Sequence, residues 1–207
     1  GMRYVDGLDN MSANIIAFGV AGSGTGKEQI LQSYLSIIKT AGVQAALHGG
    51  FKSEQEVMRN LIRHQAAFYC IDELGITLSK LQNASKKGGA SYLEGIVGLV
   101  MSVYSKANGY LPITGDLKDD IKQKLIIEYA QIEKKLEKLA EDSSTDAMRA
   151  KLAEAKDQIM LAIKSVDDGL ENPYLTVLGF TTPVTFNDLM TFEQATNGFM
   201  ARAMIFS

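Results

Sequence analysis

Gly22, Gly24 and Gly26 alternate with Ala21, Ser23 and Thr25, and Lys27-Glu28 follow at once. No other stretch of this chain restricts the fold so strongly. Glycine accepts backbone conformations that a Cβ forbids, so successive N–H groups in such a loop turn inward around an anion. Its flanks matter equally. Asn14–Val20 (NIIAFGV) is a short apolar run and reads as a buried strand. From Lys27 to Thr40, apolar residues fall at Ile30, Leu31, Tyr34, Leu35, Ile37 and Ile38, the pattern of an amphipathic helix that Gly42 would stop. Strand, glycine loop and helix in that order begin an α/β sheet and aim a helix N-terminus at the loop.

The chain continues in the same idiom. Val43–Leu47 reads as a second strand, and Ser53 with Glu56 forms a capping box for a helix through Val57, Leu61 and His64. Ala67–Ile71 is a third strand running straight into Asp72-Glu73, and Tyr92–Tyr104 is a helix. Near the end, Tyr174–Thr181 (YLTVLGFT) reads as a fourth strand, Thr185 with Asp188 as a helix start, and Met200–Phe206 as a fifth strand.

Between these halves the texture changes. From Asp116 to Asp168 there is neither Gly nor Pro, and Lys, Glu, Ala and Leu dominate. Leu125, Tyr129, Ile132, Leu136 and Leu139 make one seam, and Met148, Leu152, Ala155, Ile159 and Ala162 make another. The polar stretch Glu141–Asp146 separates them. The pattern predicts an antiparallel helical hairpin, residues 116–168, inserted into a core made of 3–115 and 169–207. It serves either as a plain structural arm or as a lever that docks a partner.

Bulk properties narrow the class. A chain of 207 residues has room for one α/β core with an appendage. It is 46% hydrophobic, and no apolar stretch reaches the ~20 residues a membrane helix needs, so no membrane partner is expected. The lone Cys70 excludes an internal disulfide and suits a reducing, cytoplasmic setting. A net charge of −3 gives no overall attraction to nucleic acid, though a local basic groove is compatible with it. Gly1-Met2 reads as the scar of a removed tag, and the apolar run ending at Ser207 as a cut made in a longer protein.

The chemistry gathers at two places. Ala21–Glu28 fits the Walker A pattern of a phosphate-binding loop, with Lys27 as the charge for the terminal phosphates of ATP. Glu28 departs from the usual Ser or Thr that meets Mg²⁺, although the run SGTGKE resembles the loop of bacterial enhancer-binding ATPases. Phe68–Glu73 resembles a Walker B strand, in which Asp72 holds Mg²⁺ through water and Glu73 polarises the attacking water. Glu73 also fits a plain helix-start carboxylate. An adjacent catalytic Glu goes with a strand order of fifth, first, fourth, third, second (5-1-4-3-2). Thr181-Thr182 would then be a sensor of the γ-phosphate or the lytic water, or else a turn before Pro183. Arg202 is open to three roles: a finger reaching a neighbouring subunit, a sensor in its own chain, or an internal salt bridge. Lys86-Lys87-Gly88-Gly89 suits a nucleic-acid-touching loop or an ordinary polar one. His48 and His64 show no metal-ligand spacing.

Taken together, AGSGTGK, YCIDELG, NPYLTVLGFTTP and GFMARAMIF resemble the uncharacterised ATPase domain found beside primase modules in phage, prophage and plasmid replication proteins. The likeness covers about residues 14–206. It implies a RecA-like P-loop NTPase motor with ATP and Mg²⁺, oligomeric in its parent protein, acting on single-stranded or duplex DNA in replication as a helicase. Two other readings stay open: an ATP-dependent switch that binds a protein through the arm, and a degenerate P-loop domain.

Overall fold

A computed structural model describes residues 3–6, 9–12, 14–22, 24–79, 92–139, 146–192 and 198–207. The chain begins with a small antiparallel pair, β1 (Arg3–Asp6) and β2 (Asp9–Ser12). Then come β3 (Ile15–Val20), α1 (Lys27–Thr40), β4 (Leu47–His48), α2 (Glu54–His64), β5 (Ala66–Ile71) and α3 (Tyr92–Ser105). A second small pair, β6 (Tyr110–Leu111) with β7 (Leu170–Glu171), brackets two long helices, α4 (Gly115–Lys138) and α5 (Asp146–Asp168). The chain closes with β8 (Tyr174–Thr181), α6 (Pro183–Phe192) and β9 (Ala203–Phe206).

The main sheet has five strands, ordered β4-β5-β8-β3-β9, and every pairing in it is parallel. Numbered over all nine strands, this order differs from the expected 5-1-4-3-2. The four extra strands belong to the two small pairs and account for the shift. Counted within the five-stranded sheet alone, the chain order read from the β9 edge is 5-1-4-3-2. From β3 the chain moves out towards the β4 edge, and from β8 it crosses to the β9 edge. The C-terminal ends of β3 and β8 therefore lie where the direction of winding changes, the place where open parallel sheets form a crevice.

Several boundaries differ from the sequence expectations, each for a local reason. The second strand shrinks to Leu47–His48 because Gln44–Ala46 turns as a 3₁₀ helix. The last strand starts at Ala203, since Met200–Arg202 is also a 3₁₀ turn. The late helix begins at Pro183 and not at Thr185, because the Thr182 hydroxyl accepts the Thr185 N–H at 3.3 Å and Pro suits the first helical position. At α2 the Ser53 side chain accepts the Glu56 N–H at 3.1 Å, while the Glu56 carboxylate accepts the Lys52 N–H at 3.1 Å. Helix α1 buries Ile38, but Ile30 is 56% and Ile37 is 65% exposed. At ~100° per residue these two lie about a quarter-turn or more from the Leu31–Tyr34–Leu35–Ile38 face. The Glu141–Asp146 turn, except Asp146, and the Lys86–Gly89 loop lie outside the described residues.

One apolar cluster joins the sheet to the helices on it. Ile16, Phe18, Tyr69, Leu175 and Val177 supply the sheet side, and Val57, Leu61, Val100 and Val103 the helix side. Ile121, Leu125, Ile159, Ala162 and Val166, at the near ends of α4 and α5, belong to the same cluster. The two long helices pack along each other. Its root is fastened to α2 as well, by the Arg63–Glu128 ion pair and by Gln55 Nε2 donating to Asp120 at 3.0 Å. Farther out the contacts stay within the arm: Lys156 meets Glu133 at 2.8 Å and lies 5.0 Å above the Tyr129 ring. Met148, near the turn, is 56% exposed. No helix among the described residues is long and apolar enough to cross a membrane.

Candidate nucleotide-binding cleft

Because the strands are parallel, the segments leaving β3, β5 and β8 emerge at one edge of the sheet. From β3 comes the glycine loop. Its first residue is tied to β8, with Ala21 N donating to Thr181 O at 3.1 Å. Thr25 Oγ1 donates to Gly22 O at 2.8 Å and closes the loop. Gly24 (φ 79°) and Gly26 (φ 87°) are both left-handed, which is what the alternating glycines are for. Gly26 is the N-cap of α1, and no side chain satisfies the first-turn N–H groups. The N–H groups at this helix start, with the helix dipole, favour an anion at the loop.

From β5 comes the acidic turn. Asp72 and Glu73 are both exposed at the strand end, and Asp72 Oδ1 accepts the Glu73 N–H at 3.1 Å. Glu73 has φ 56°, the left-handed region that few non-glycine residues occupy. Residues 74–79 then turn helical. From β8 comes Thr181, which is only 3% exposed, followed by Thr182 at the start of α6.

These three segments enclose one cleft of about 310 Å³. Gly24, Gly26, Lys27 and Glu28 line it from the loop, Asp72 and Glu73 from the acidic turn, and Thr181 with Thr182 from the end of β8. The structure thus brings together eight of the residues singled out in the sequence. Ala21, Gly22 and Thr25 belong to the same loop without lining the cleft, and Ser23 lies outside the described residues. Glu28 has one oxygen held by Gln32 Nε2 at 2.8 Å, so its carboxylate is drawn along α1. Arg202 does not line the cleft. It stands exposed in its 3₁₀ turn, with Nη1 donating to Gly198 O at 3.2 Å, and makes no ion pair among the described residues.

Sequence reasoning passed over Leu31, Ile76, Phe180 and Thr185, which complete the lining. Thr185 carried a usable signal, its spacing from Thr182, but it was read only as a helix start. The apolar three carried none, since each looks like an ordinary core position. Among the described residues no three His, Cys, Asp or Glu side chains are grouped as a metal cage. Asp72 and Glu73 are the two carboxylates lining the cleft that could hold a cation such as Mg²⁺, which takes one or two carboxylates from protein and its other oxygens from water and phosphate.

Comparison with protein-family models, curated proteins and solved structures finds no match to this chain. Its functional reading therefore rests on the cleft and on the sequence segments that form it.

Proposed function

We propose that this chain binds a nucleoside triphosphate with Mg²⁺ in the cleft and hydrolyses it. One observation carries the reading: the glycine loop, the acidic pair and the buried threonine come from three distant parts of the chain and line one cavity. The loop donors and Lys27 would hold the phosphates. Asp72 would hold the metal, which when bound neutralises phosphate charge. Glu73 would orient and deprotonate the attacking water, and Thr181 would contact the same region. ATP as the nucleotide, and a replication motor acting on DNA as the setting, follow from the family resemblance.

The decisive experiment is calorimetric titration of MgATP into the wild type and Lys27→Ala. The variant should bind at least about tenfold more weakly with an unchanged melting temperature, since one charge-assisted contact is removed from a half-buried loop residue. Equal affinity in a folded variant would sink the assignment.

A second reading, an ATP-dependent switch, draws on the route from cleft to arm. Helix α2 packs on β5, which carries Asp72-Glu73, and the root of the arm packs on α2. Stimulation of turnover by single-stranded DNA separates the motor from the switch.

A further inference from the structure

The acidic turn is fitted to the end of β8 by two opposed size matches. Leu74 lies against Gly179, where an added Cβ would come within 2.6 Å of the Leu74 Cβ. One residue later the sizes reverse. A Cβ on Gly75 would overlap the Thr181 hydroxyl outright and come within 2.9 Å of both Thr181 Cβ and Thr185 Cγ2. Gly75 is buried and its φ is outside the left-handed region, so backbone freedom does not explain a glycine here. The explanation is space: the hydroxyl of Thr181 occupies the place a side chain on residue 75 would take.

Thr181 is also unusual. It is 3% exposed and its hydroxyl has no hydrogen-bond partner among the described residues, but that hydroxyl is not one of their fully enclosed unpartnered polar atoms, so it keeps access to the cleft that Thr181 lines. A hydroxyl that is not sealed off and has no protein partner is free to bond a ligand group in the cleft. Its backbone carbonyl holds Ala21 at the root of the glycine loop. Its neighbour Thr182 shares a 3.0 Å hydroxyl–hydroxyl contact with Thr185, whose methyl also borders Gly75. Thr181 thus joins the root of the glycine loop to the acidic turn, and its neighbour Thr182 fixes the start of α6.

We propose that Gly75 is a positioning residue: by carrying no Cβ it seats the Thr181 hydroxyl in the cleft, where that hydroxyl distinguishes a triphosphate from a diphosphate. The inference rests on the nucleotide-binding reading of the cleft. Gly75 touches no ligand in it. It acts through Thr181, and an added methyl would displace the hydroxyl from the cleft wall.

The test is a double-mutant cycle read as the ratio of MgATP to MgADP affinity, measured by calorimetry on the full chain. Wild type should prefer MgATP. Gly75→Ala and Thr181→Ala should each lower that preference about tenfold, with MgADP affinity unchanged within about twofold, the size of one lost hydrogen bond to a charged group. Thr181→Ser keeps the hydroxyl and should keep the preference. The double variant Gly75→Ala/Thr181→Ala should be no worse than either single one, because both remove the same contact. An unchanged ratio in Gly75→Ala, or losses that multiply in the double variant, overturns the inference. If Gly75→Ala does not fold, Gly75→Ala/Thr181→Gly should recover folding at least in part, since both clashes with Thr181 are gone and only the contact with the Thr185 methyl remains. A double variant that stays unfolded overturns the steric link. Wild type that binds both nucleotides without turnover removes the hydrolase reading alone and leaves the ratio as the test. Wild type that binds neither, or both equally, overturns the inference.

Discussion

The arm and the cleft are built on opposite principles. Along α4 and α5 most polar partners are close at hand within the hairpin: Lys156 finds Glu133 and Lys122 finds Asp167 at 2.7 Å. The seam is repetitive, and only its root reaches the common core. In the cleft almost nothing is local. Ala21 is bonded to Thr181, Gly75 is shaped around Thr181, and the acidic pair stands exposed at a strand end. Side chains such as Asp72 and Glu73 add little to the core, and their value lies in where the sheet puts them. Stability and activity should therefore respond to different substitutions.

The sharpest separation is expected at Glu73. Glu73→Gln should cut ATP turnover by ~10²-fold or more, the lower end for loss of a general base, while the melting temperature stays put. Phosphate release at saturating MgATP, beside a thermal melt, measures both. A stability loss comparable to that of a core substitution would place Glu73 with the structural residues and blur the contrast.

The reverse pattern is expected at the root of the arm. Leu125→Ala should cost roughly 3 kcal/mol in chemical denaturation, as for a fully buried leucine, with nucleotide affinity kept in the folded fraction. Replacing residues 134–153 with a short Gly/Ser linker should cost far less, because the root and the Lys156–Glu133 pair are retained. Equal losses in the two variants would mean that the arm stabilises the protein along its whole length.

The smallest effect expected is a pH response at the β4 edge. Burial holds the imidazoles of His48 and His64 below their ordinary value of 6.5. The His48 Nδ1 lies 3.3 Å from Asn60 Nδ2, and its ring stacks 5.1 Å from Tyr69. The unfolded chain thus takes up protons more readily than the folded one. Stability is full above the unfolded value and declines as pH falls through and below 6.5. Melting curves between pH 7.5 and 5.5 should show a decline that is shallower in His48→Gln. An identical decline assigns it to His64.

How legible each region was in the sequence follows the same division. Periodicity sufficed for the arm, because helix and seam repeat on the scale of a few residues, and Leu125, Ile159 and Ala162 are buried as that pattern requires. It gave no warning that the root would join the core, since Ile121 looks no different from other apolar residues in the stretch. The glycine loop was visible by its glycine spacing, and Asp72-Glu73 by its place after an apolar strand downstream of that loop, with a strand and a helix between. Gly75 stood in the segment YCIDELG only as part of the resemblance, and its role was not legible: a residue defined by what it leaves empty has no signature until its neighbour is known. Ile30 and Ile37 misled, because an apolar residue on a helix need not lie on the side that packs. Arg202 was placed in a strand that the chain enters only after it.

The pairing of β6 with β7 has a consequence for how the chain assembles. Strand β8 sits between β3 and β5, yet it is made only after α3 and the whole arm. Contacts between segments so far apart are slow to form, because the intervening chain must be gathered first. The hairpin does much of that gathering by itself. Helices pair quickly on local contacts, and their closure brings Leu111 against Leu170. To the searching chain, β8 then arrives as if it followed soon after α3, and the arm acts as a shortcut in the order of folding.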